Sequence, residues 1–161
     1  MVRETFRRDM QRIREEVLLL GSMVEEAIVE SVKVLEQRDH ARARQLRKAD
    51  QLINTKRFEI EADALTLIAT QQPMAGDMRI LAAVLEISTE LERLGDYAKG
   101  IAKVSLKIGD EPLIKPLIDI PVMAEKVTSM LRQALDAFSR GDIELAYAIP
   151  SRDDEVDALY N

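Results

Sequence analysis

Nine pairs of similar residues stand 103 positions apart in this chain: Val24 with Val127, Ile28 with Leu131, Leu35 with Phe138, Asp39 with Asp142, Ala43 with Ala146, Leu46 with Ile149, Asp50 with Asp153, Ile53 with Val156 and Asn54 with Asp157. A single offset carrying apolar and acidic positions together marks a duplicated unit. The chain must fold as one building block used twice. Whatever helices the first copy forms, the second should repeat in the same order.

Periodicity says what the block is. Ile13, Val17, Leu20, Val24, Ala27, Ser31 and Leu35 recur at steps of three and four with Arg, Glu and Lys between them, the pattern of an amphipathic helix from about residue 5 to 37. At 1.5 Å per residue such a helix is about 50 Å long, so it needs equally long neighbours. Asp39 is placed to cap a second helix by accepting from its first free amides. That helix turns Leu46, Ala49, Ile53, Ile60, Ala64 and Leu67 inward and stops near Gln71-Gln72-Pro73. A third helix is expected from about Met78 to Ile108. Three long helices with short turns make an antiparallel bundle.

Pro112, Pro116 and Pro121 fall within ten residues, and residues 110–120 read as a linker. A fourth helix follows, capped by Asp119 or Ile120, with Pro121 in its first turn and Ala124, Val127, Leu131, Ala134, Leu135 and Phe138 inward. Pro150 should kink the fifth helix or mark an irregular start. The expected fold is all-α: a three-helix unit over 1–109, the linker 110–120, and over 121–161 the beginning of a second unit. A third helix at the same offset would carry the chain to about 210 residues, so the second bundle reads as truncated. Its uncovered apolar face makes a homo-oligomer, a dimer or swapped arrangement, the expected state.

Composition removes whole classes of function. A formal net charge of −6 and the absence of tryptophan argue against a nucleic-acid partner, which needs a basic surface and stacking platforms. No cysteine and a single histidine leave any metal to oxygen ligands or to His40. The amino end has no apolar signal core and no run is long enough to span a membrane. The expected location is cytoplasmic, peripheral to a membrane at most. No Ser/His/Asp set, glycine-rich phosphate loop or Cys/His cluster appears, so no catalytic residues are assigned. His40 and the arginines Arg3, Arg7, Arg8, Arg12 and Arg14 read as solvated surface.

Chemistry concentrates in Glu90-Leu91-Glu92-Arg93-Leu94-Gly95-Asp96. If Leu81, Val84, Leu85, Ser88, Leu91 and Gly95 form the inward stripe, Glu92 falls within it and Asp96 at its edge. On the second helix Asp50 points inward with Asn54 one turn later. Acids on an apolar stripe demand a cation. Asp50, Asn54, Glu92 and Asp96, if level across antiparallel helices, would make an oxygen-rich metal pocket, and Asp153 with Asp157 half of a second. The ions that suit such ligands are divalent or trivalent: Fe, Zn, Mn or Mg.

Gln72-Pro73, Asp77-Met78-Arg79, the Glu-Arg-Leu-Gly-Asp run at 92–96, the Asp50–Asn54 pair and Asp153-Asp154-Glu155-Val156-Asp157 together resemble the PhoU phosphate-signalling family. The resemblance covers essentially the whole chain and implies two similar three-helix repeats. It further implies a cytoplasmic regulator that represses the phosphate-starvation response by linking the ATPase subunit of a phosphate ABC importer to a sensor histidine kinase. Some members bind metal through Glu/Asp-x-x-x-Asp motifs, which here would be Glu92 with Asp96, Asp50 with Asn54, and Asp153 with Asp157. Asn54 departs from that pattern with a neutral amide. Two other readings compete. A plain helical interaction module would have its inward acids neutralised by Arg93 or Arg79. A ferritin-like di-metal oxidase would need Glu-x-x-His, and position 37, three before His40, is glutamine.

Overall fold

A computed structural model of the chain describes residues 2–160, the side chains of Val2 and Arg3 excepted. Three long helices come first: α1 (Val2–Gln37), α2 (His40–Gln71) and α3 (Ala75–Ile108). Then follow α4 (Asp119–Arg140), the short α5 (Ile143–Ala148), a 3₁₀ turn at Pro150–Arg152, and α6 (Asp153–Tyr160). Helices α1, α2 and α3 pack on one another in every pairing, α4 lies against α1, and α5 and α6 pack on α4.

The core is the one the periodicity specifies. Ile13, Val17, Leu20 and Val24 of α1 meet Ile53, Ile60, Ala64 and Leu67 of α2 and Leu81, Val84, Leu91 and Ala98 of α3. Leu131 of α4 joins the same cluster, with Leu135 and Phe138 packed against it. Two alanines assigned inward, Ala49 and Ala134, are exposed instead, while Ala137 is buried. Alanine carries too little apolar area to fix which way a helix edge faces.

The duplication is visible in the backbone. Arg38 and Gly141 end α1 and α4 in the left-handed region, with φ of 53° and 67°. At both corners the next residue is an aspartate whose side chain accepts from an amide three residues on, Arg42 N to Asp39 and Leu145 N to Asp142, each at 2.9 Å. Its own amide donates back to Val34 O or to the equivalent Ala137 O. Glycine takes this conformation without strain, whereas Arg38 is held in it while its guanidinium donates to the carbonyls of Asp110 and Glu111 in the linker.

Other ends differ from expectation. α3 begins at Ala75, after Met74 and without a side-chain cap, so Asp77 sits in its first turn. α4 begins at Asp119 behind Ile118, again without a side-chain cap. Pro150 breaks the counterpart of α2 into α5, the 3₁₀ turn and α6, because its ring removes an amide and crowds the preceding turn. His40 is half-buried rather than solvated, its Nε2 lying 3.2 Å from Gly109 O.

Candidate functional site

The site grows from a close crossing of α2 and α3. Gly95 presents no side chain to α2, and a β-carbon there would lie 3.2 Å from both Cδ1 and Cγ2 of Ile53 and 3.9 Å from Asp50 Oδ1. Asp50, placed on the inner face by the phase that also buries Ala43 and Ile53, is therefore carried into the bundle and is 4 % exposed. One turn past Gly95, Lys99 reaches back across the crossing. Its Nζ donates to Asp50 Oδ2 at 2.6 Å and lies 3.5 Å from Asp96 Oδ1. Asn54 Nδ2 donates to the same Asp50 oxygen at 3.4 Å. Asp50 Oδ1 is buried and has no hydrogen-bond partner among the described residues.

The acids thus have their cation, and it is neither Arg93 nor Arg79. Arg93 faces out, 3.4 Å from Glu90 and over the Tyr97 ring. Arg79 is exposed. Nothing in the sequence singles out Lys99, because its position flanks the apolar stripe, where long basic side chains usually reach water. Its spacing was nevertheless informative: three residues after Asp96, it shares that residue's helix face. The structure brings Asp50 and Asp96 to the Lys99 ammonium, with Asn54 hydrogen-bonded to Asp50. Glu92, half-buried on α3, takes no part in the network, and Asp153 and Asp157 lie exposed on α6.

Next to Asp50 is a cavity of about 430 Å³, lined among others by Glu26, Glu30, Arg42, Gly95 and Lys99. Burial alone would raise the Glu30 carboxyl, but hydrogen bonds from Lys33 and Arg42 outweigh it and hold the group below its ordinary value near 4.5. Lys99 is held above its ordinary value near 10.5, chiefly by its hydrogen bond to Asp50. The signs follow from linkage. Glu30 contributes stability above its unfolded pKa and loses it as pH falls through the lowered folded value. Lys99 contributes below its unfolded pKa and loses it as pH rises through the raised folded value. Thermal melts should therefore show a plateau between about pH 5 and 10 with a decline on either side. A Lys99→Met variant should show a shallower alkaline decline.

A family model described as "PhoU domain" matches residues 17–105 and 120–161, spanning the α1–α3 bundle and its repeat. The chain belongs to the PhoU family. A "Phosphate-specific transport system accessory protein PhoU homolog" of Clostridium acetobutylicum is 38 % identical over 99 % of this chain and 74 % of its own length. The homologue of the same name from Aquifex aeolicus is 32 % identical over 96 % of this chain and 70 % of its own. Among solved structures, PhoU from Pseudomonas aeruginosa matches with a TM-score of 0.89 and 29 % identity, over 96 % of this chain and 75 % of that one. The phosphate transport system regulatory protein PhoU from Streptococcus pneumoniae matches at 0.88 and 27 %, over 96 % and 73 %.

Among the described residues no three His, Asp or Glu side chains gather as a metal site requires. The point on which Asp50 and Asp96 converge is held by an ammonium. As arranged, the side chains fit Lys99 rather than a metal.

Proposed function

We propose that the chain acts as a non-enzymatic accessory protein of a phosphate transport system, in the cytoplasm, through protein contacts. The observation that carries this reading is its likeness, over nearly its whole length, to relatives named as accessory proteins of phosphate-specific transport. No helix among the described residues is long and apolar enough to cross a membrane, which agrees with a protein that meets a transporter from one side.

In this reading the bundle links the ATPase subunit of a phosphate ABC importer to a sensor histidine kinase and damps the phosphate-starvation response. Pull-downs of the chain against each purified component should recover both. Recovery of neither would remove the linking role. Self-association as a dimer belongs to the same proposal, supported by large apolar side chains left exposed at Ile114, Ile118, Ile143, Tyr147 and Tyr160. Sedimentation equilibrium should show a dimer, and a monomer at every concentration would exclude it.

A further inference from the structure

We infer that the facing ends of α2 and α3 form a binding site for a phosphate-bearing polyanion. Residues 41–49 and 97–108 hold seven of the chain's 23 lysines and arginines and none of its 29 acids. The fold lays these two stretches side by side. His40 Nε2 lies 3.2 Å from Gly109 O at one end, and Lys99 Nζ lies 2.6 Å from Asp50 Oδ2 at the other. Arg42 is engaged by Glu30, and Lys99 by Asp50 and Asp96. The other five, Arg44, Arg47, Lys48, Lys103 and Lys107, are exposed and have no ion-pair partner among the described residues. Arg44, Arg47, Lys48 and Lys99 line one open hollow of about 530 Å³, with no carboxylate among its described lining residues.

In a chain of net charge −6 this is a local excess of the opposite sign. Like charges one helical turn apart, as at Arg44 and Lys48 or at Lys99, Lys103 and Lys107, destabilise the helices that carry them. An anion lying between the two rows removes that repulsion, so binding and folding favour each other. Lys99 to Lys107 covers about 12 Å of helix. Cations spread over such a length match several phosphates in a row better than a single small anion, and the planar fork of an arginine pairs with two phosphate oxygens at once. A free polyphosphate anion and the headgroups of an anionic bilayer offer this same chemistry. The site stands apart from the linking role and needs neither of its protein partners.

Calorimetric titration of the chain with inorganic tripolyphosphate, at physiological ionic strength, tests this. The expected result is one tripolyphosphate per chain. The double variants Arg44→Gln with Lys48→Gln and Arg47→Gln with Lys103→Gln should each bind at least about tenfold more weakly. Arg79→Gln, an exposed change at the other end of α3, should leave the affinity as it was. All the substituted side chains are exposed, and circular dichroism establishes that each variant is helical. Sedimentation with phosphatidylglycerol vesicles, against phosphatidylcholine vesicles, separates the two sources of phosphate. Vesicle binding that the double variants lose would assign the site to lipid headgroups, and tripolyphosphate binding without it to a free anion. Binding equally strong in the double variants, equally strong toward citrate, or absent for both tripolyphosphate and phosphatidylglycerol would overturn the site.

Discussion

Replacing Gly95 with valine is expected to lower the unfolding free energy by about 1–3 kcal/mol, the range for overpacking a filled helix crossing. The first added atom alone would sit 3.2 Å from two carbons of Ile53, tighter than ordinary contact, and valine adds two methyl groups beyond it. Valine is a slightly better helix former than glycine, but that gain is roughly 0.3–0.5 kcal/mol and cannot offset the clash. Gly100 is the control, five residues further along the same helix. A β-carbon there meets nothing within 4 Å, so Gly100→Ala should stabilise by about 0.5–1 kcal/mol. Urea unfolding of the two variants should move the midpoint in opposite directions at a common slope. If Gly95→Val left stability unchanged, the close crossing would be wrong, and with it the depth of Asp50.

The second large effect is an asymmetry. Lys99→Met strands a buried carboxylate whose remaining partner is the Asn54 amide, and should cost about 2–3 kcal/mol. That figure sits below the usual range for breaking a fully buried pair because the Lys99 side chain is 40 % exposed. Asp50→Leu leaves only the lysine behind, which keeps Asp96 and can swing into water, so its cost should stay at about 1 kcal/mol or less. The double variant should recover most of the loss, since two matched apolar groups need no counter-charge. Thermal or urea unfolding of the four proteins completes the cycle. Equal costs for the two single changes would mean that water reaches Asp50 and that the lysine is a surface pairing.

The repeat and the apolar stripes were legible because burial imposes a period on the sequence, and Ile13 through Val24 or Leu81 through Leu91 could face nowhere else. The corner caps were legible too, since an aspartate after a helix end has one inexpensive use, and Asp39 and Asp142 both take it. The starts of α3 and α4 were not, because neither has a side-chain cap to announce it. In the site, Asp50 could be placed by its phase against Leu46 and Ile53. Its partner could not. Lys99 meets it across 49 residues of chain, and only the closeness permitted by Gly95 decides which of several nearby cations arrives. Arg93 and Arg79 had equal claims on charge alone, and helix phase turned them outward.

Helix α1 packs against α2, α3 and α4. The contacts that close the first bundle lie within the first 108 residues, whereas α4 is fastened to residues far behind it, as in the ion pair of Arg132 with Glu25, 107 positions earlier. During synthesis the first three helices can therefore collapse as soon as they emerge, and α4 docks afterwards on a finished surface. The order of assembly is written into the connectivity, with nearby pairings formed early and the distant one last.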